Sequence, residues 1–104
     1  MPNFHYQAGR RQEYVVKRKY ERAGYWCVRA AGSKGSWDIV ALGDTAENRY
    51  DVRLIQVKRV KDTAAAKRMI TEFKRTKFSL HPHLYQYVLE IYVTTTREHL
   101  TVEL

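Results

Sequence analysis

A single cysteine stands among 104 residues, and that scarcity closes two routes to stability. Cys27 has no second thiol to pair with inside the chain and no cysteine-built zinc site can form, which fits a reducing compartment. Prolines number two and glycines five, too few for a collagen-like or low-complexity chain. Acidic side chains are short as well: 11 Asp and Glu against 19 Lys and Arg leave a net charge of +8. No apolar run approaches the roughly 18 residues of a membrane span, and residues 1–10 lack the apolar stretch of a signal peptide. The expected setting is therefore the cytoplasm, with no membrane partner. The 24 Val, Ile, Leu and Phe residues can build a small core, and the length predicts one domain over 1–104. A basic domain of this size points to a polyanionic partner, and nucleic acid is the foremost one.

The positive charge is concentrated, with six of the basic residues over 10–22 and nine over 53–77. Over 10–23, Glu13, Val16, Tyr20 and Ala23 recur at three- and four-residue spacing, which predicts an amphipathic helix with Gly24 as its C-terminal cap. Residues 25–30 read as a strand, 32–36 as a turn and 37–42 as a second strand interrupted by Asp38, together a hairpin. A polar loop over 43–50 follows. Residues 51–60 alternate, with Val52, Leu54, Gln56, Lys58 and Val60 on one face and Arg53, Ile55, Val57 and Arg59 on the other. Asp62 or Thr63 caps a second helix reaching about residue 77, with Ala66, Met69, Ile70 and Phe73 inward. His81-Pro82-His83 reads as a surface turn. Strands over 84–94 and 99–104, joined through 95–98, complete an αβββαββ order. This is an α/β fold, a mixed central sheet of about five strands flanked by two helices.

Three polar residues occupy positions where apolar ones would be cheaper: Asp38, Gln56 and Lys58. Adjacent strands would bring them together, since spacing of two keeps Gln56 and Lys58 on one face. A carboxylate beside an amide oxygen suits a hard cation such as Mg²⁺, and a nearby lysine can orient an attacking water or offset phosphate charge. Glu13, on the inward face of the first helix, is expected to add a second carboxylate. Asp51 falls on the opposite strand face, and Asp44 and Glu47 reach the site only if their loop folds back. Taken singly, Glu13 is an ordinary solvated helix residue and Lys58 an ordinary surface lysine. Chemistry is implied for them by a resemblance that the order of motifs along the chain carries.

That order runs through Gly9, Glu13, Gly24-Tyr25, Val28-Arg29-Ala30-Ala31-Gly32-Ser33-Lys34, Asp38-Ile39-Val40-Ala41 and Ile55-Gln56-Val57-Lys58. It resembles the archaeal-type Holliday junction resolvases of the PD-(D/E)XK nuclease superfamily, whose fold is restriction-endonuclease-like. The resemblance covers about residues 9–58, and the remainder fits the family's helix followed by two strands. It implies catalytic positions for Glu13, Asp38 and Lys58, an active-site loop serine at Ser33, and a metal-ligand position at the Val57 carbonyl. Gln56 departs from the pattern, which has Glu there, and a neutral amide oxygen holds Mg²⁺ less tightly. The implied activity is Mg²⁺-dependent nicking of four-way DNA junctions by a homodimer, with Mn²⁺ able to substitute. The neighbouring alternatives are a stand-alone nuclease that nicks flaps or duplex and an inactive DNA-binding relative. Backbone phosphate contacts are expected at Arg10, Arg11, Lys34, Arg59 and Lys67, and the apolar strand over 85–93 or its neighbours are expected to form the dimer interface.

Overall fold

Upstream of residue 10, where the first helix is predicted to begin, only Pro2 bars a helix outright, while Gly9 merely weakens one. In the computed structural model, which describes residues 4–30, 37–49, 51–76 and 85–104, α1 accordingly spans Phe4–Arg22. It ends at Gly24, whose φ of 93° lies in the left-handed region that a side chain would strain. Strand β1 (Tyr25–Arg29) pairs antiparallel with β2 (Ile39–Gly43), and β2 with β3 (Val52–Val60). Helix α2 (Thr63–Arg75) then crosses over to β4 (Gln86–Val93), which lies parallel to β3, and β5 (Glu98–Glu103) returns antiparallel beside it. The sheet order is β1-β2-β3-β4-β5. The chain is thus the α/β domain expected, with two helices on a five-stranded mixed sheet in αβββαββ order.

Local chemistry explains the boundaries. Asp62, not Thr63, caps α2, its side chain accepting the Ala65 N–H at 2.8 Å. The loop after β2 folds back, though toward the end of α1: Asp44 N–H donates to the Gly24 carbonyl and Asn48 Nδ2 to the Ala23 and Gly24 carbonyls. A Cβ on Gly43 would come within 1.7 Å of the Asn48 carbonyl oxygen, so only glycine lets the loop close there. Asp44 and Glu47 are therefore carried away from Asp38, which precedes the opposite end of β2. The turn over 32–36 and His81-Pro82-His83 lie outside the described residues.

Alternation along β3 divides the core as the pattern predicts. Leu54 and Val60 face α2, packing with Ala66, Phe73, Tyr87, Leu89, Ile91 and Val93. Ile55 faces α1, packing with Val16, Tyr20, Cys27, Ile39, Ala41 and Val88. Cys27 is a buried small side chain, its thiol pKa pushed up by burial. β4, the strand expected to form a dimer interface itself or through its neighbours, is an interior strand of the sheet. Every residue over 87–91 is buried, because β4 lies between β3 and β5 with a helix over each face. Surplus apolar surface lies on β1 and β2, where Trp26, Val28 and Leu42 are exposed. No helix among the described residues is long and apolar enough to cross a membrane.

Candidate active site

Asp38 stands one residue before β2, where the ladder changes partners. Its carbonyl accepts from the Ala30 N–H at 2.8 Å while its own N–H donates to the Ile55 carbonyl at 2.9 Å, so its backbone ties the β1 side to β3. The next free donor on β3 is the Val57 N–H, and Asp38 Oδ2 accepts it at 2.8 Å. A carboxylate thus takes the place that a backbone carbonyl would hold if β2 continued. In extended backbone a residue's N–H and C=O point to the same neighbour, which turns the Val57 carbonyl toward the Asp38 side as well.

The flanking residues of β3 are the two singled out by the alternation. Gln56 is half-buried and Lys58 exposed, on the face shared with Leu54 and Val60. Lys58 lines a cleft of about 380 Å³ at the C-terminal end of β3, with Val57, Lys61 and Thr94, and Gly9 of α1 forms its far wall. Asp38, Gln56, Val57 and Lys58 are therefore neighbours at one end of the β2–β3 pair. They offer one carboxylate, one amide oxygen, one carbonyl and one ammonium.

Glu13 faces the sheet, as the helical period predicts, and is held there by Arg29 of β1. It extends from α1, on the opposite side of the sheet from Leu54 and Gln56, and its Oε1 accepts from Arg29 Nη1 at 3.0 Å. Arg29 in turn lies over the Tyr14 ring at 5.0 Å, with Arg10 at 5.9 Å on the same ring. Hydrogen bonding by Arg10 and the Arg29 charge lower the Tyr14 phenol pKa, and Glu13 raises that of Arg29. Among the described residues no three His, Cys, Asp or Glu side chains converge as a metal-binding group. Asp51 serves structure, accepting from Tyr25 Oη and from Arg53 Nε. Burial, then the Asp51 hydrogen bond, raise the Tyr25 pKa.

The expected DNA contacts do not share one surface. Arg11 and Arg59 line the same cleft, Arg10 stands with Tyr14 on α1, and Lys67 is exposed on α2, which covers the other face of the sheet. Ser33 and Lys34 lie outside the described residues. Two features were invisible along the chain. The role of Arg29 as clamp for Glu13 depends on how α1 lies over β1, and the Val57 N–H becomes available only because β2 starts after Asp38. No protein-family model matches the chain, and no curated protein matches it.

Proposed function

We propose that the chain is a Mg²⁺-dependent, structure-selective DNA endonuclease with a restriction-endonuclease-like fold, resolving four-way junctions by paired nicks as a homodimer. The observation that carries this reading is the Asp38 carboxylate on the Val57 N–H. That bond draws the acid before β2 onto the stretch of β3 that bears Gln56 and Lys58. Asp38, Gln56 and the Val57 carbonyl form an all-oxygen donor set, which fits Mg²⁺, a cation commonly bound by one or two carboxylates and completed by waters and substrate phosphate. When bound, Mg²⁺ or Mn²⁺ supplies Lewis-acid stabilisation of the charge that builds on the phosphate. Asp38 keeps one oxygen beyond its bond to Val57 to serve as ligand, and Gln56 adds a neutral one. Lys58 orients the water that attacks phosphorus in line with the leaving bridging oxygen, and its ammonium offsets phosphate charge. Ser33 enters through the resemblance, while Glu13, held by Arg29, stands outside this set.

Symmetric resolution needs two nicks, and one such site per chain matches a two-fold pair on a two-fold junction. Trp26, Val28 and Leu42 supply the apolar contact for that pair. The neutral Gln56 and the lone carboxylate support a second reading, a DNA-binding relative without cleavage. Cleavage of labelled junctions separates the two. Asp38→Asn and Lys58→Ala should each lower nicking at least about 100-fold while DNA affinity stays within a few-fold. A wild-type chain inactive at every Mg²⁺ and Mn²⁺ level would establish the second reading. Equal cutting of flaps or plain duplex would favour a stand-alone nicking enzyme instead.

A further inference from the structure

On the α1 side of the sheet several basic side chains are met by carboxylates. Arg29 has Glu13, Lys19 has Glu90, and Arg53 has both Asp51 and Glu103. Arg11 and Arg59, like Arg10, Arg18 and Arg22, have no such partner among the described residues, but these two share one recess. They line a cleft of about 340 Å³ with Gln12, Tyr92 and His99. The register explains the meeting: Arg59 lies opposite Tyr92 on β4, and Tyr92 opposite His99 on β5. Above this row α1 brings Arg11 and Gln12.

The cleft is built rather than incidental. Tyr92 packs against the His99 imidazole with ring centroids 4.9 Å apart, restricting its plane. The Gln12 amide, only 9 % exposed, reaches His99 Nδ1 from its Nε2 at 3.5 Å. An amide nitrogen only donates, so this contact suits the tautomer in which Nδ1 accepts and Nε2 carries the ring proton. The functional heads are thus two guanidinium forks and an imidazole N–H, all donors. Glu90, the buried carboxylate of the same sheet face, cannot serve them, because it already accepts from Lys19, Tyr20 and Thr101. Two guanidinium groups sharing a recess repel each other, and an oxyanion between them removes that penalty. Guanidinium forks fit phosphate oxygens in bidentate fashion. A tetrahedral phosphate presents oxygens to both forks and the imidazole at once.

We infer that this cleft is a phosphate-binding site, separate from the Asp38 region, in which Arg11, Arg59 and His99 contact the oxyanion and Gln12 and Tyr92 position His99. A nucleic-acid backbone and a free phosphate present the same chemistry. The inference does not rest on the hydrolysis proposed above. It is tested in the full-length Asp38→Asn protein, where cleavage does not confuse binding. Titration with inorganic phosphate, followed by NMR, should shift the Arg11 and Arg59 Nε–H signals and the His99 ring signals. The Arg11→Ala/Arg59→Ala double variant should lose the His99 response, and because both residues are exposed it should keep the wild-type thermal transition. Gln12→Leu, which leaves all charges in place, should weaken phosphate binding several-fold. The second arm measures duplex DNA affinity against salt, where the double variant should flatten the logarithmic slope by about 2. Phosphate shifts with that loss support the site and identify backbone phosphate as its source; the same shifts with an unchanged slope support it with free phosphate as the source. Absent shifts at these side chains, or shifts undiminished in the double variant, overturn it. Neither arm needs strand cleavage, so this inference can fail while the nuclease reading stands, and the reverse.

Discussion

Arg53 and Arg59 belong to the same strand and the same face of it, yet the fold treats them in opposite ways. Arg53 donates to Asp51 at 3.2 Å and to Glu103 at 2.6 Å, and its guanidinium lies over Tyr20 and Tyr25 at 5.9 and 5.4 Å. Burial lowers its pKa, but the Glu103 and Asp51 hydrogen bonds outweigh that and hold it above the ordinary arginine value. Arg59 is exposed, has no acidic partner among the described residues, and shares its cleft with a second arginine. The first arginine closes one end of the α1–sheet layer as a structural brace. The second leaves the other end open to an anion. A charge count therefore overstates how much of the +8 is available for binding, because Arg53, Arg29 and Lys19 are already occupied by the chain's own carboxylates.

The strongest way to break the contrast is to remove the brace. Arg53→Met keeps much of the apolar stem but leaves Asp51 and Glu103 without their cation, and should cost about 2 kcal/mol in urea unfolding at pH 7. A loss below half a kcal/mol would make Arg53 as dispensable as a surface arginine. Next comes Tyr20, whose ring lies beneath Arg53 and whose hydroxyl donates to Glu90 at 2.8 Å. Burial, then the Glu90 charge, raise its pKa above the ordinary 10.0. The sign follows from that direction. Below pH 10 both folded and unfolded chains keep the phenol proton and its contribution is complete. Above pH 10 the unfolded chain ionises first, so stability falls by up to about 1.4 kcal/mol per pH unit. Tyr20→Phe should lower stability at neutral pH and make the alkaline limb shallower, read from urea midpoints between pH 7 and 11; an unchanged limb would count against this account. The smallest effect is expected at the open end. Arg59→Ala should change stability by no more than about 0.5 kcal/mol, and a larger loss would show that Arg59 braces the fold as Arg53 does.

Much of this was legible along the chain. The alternation over β3 sorted Leu54 and Val60 from Ile55 and Val57 correctly, because a period of two leaves no freedom once one face is buried. Gly24 announced the end of α1, and Asp62 the start of α2. The pairing of β2 with β3 was an expectation of adjacency, and Asp38 stands one residue before β2 rather than inside it, where the strand reading over 37–42 puts it. Glu13 was less legible: the helical period turned it toward the sheet, but only the packing of α1 over β1 put Arg29 within reach of it. The apolar strand over 86–93 could equally be a core strand or a surface for a second copy. Its position in the sheet depends on the α2 crossover, a non-local event that composition does not encode.

The sequence by itself determined the order of elements, the polarity of each strand face and the grouping of Gln56 with Lys58, since all three are set by local periodicity and end signals. The tertiary structure alone decided which charges cancel. Coulomb and hydrogen-bond partners are fixed by distances of a few ångströms between side chains far apart in the chain, as in Arg53 with Glu103. That is why two arginines of one strand could carry the same sign, face the same way, and still take up opposite roles.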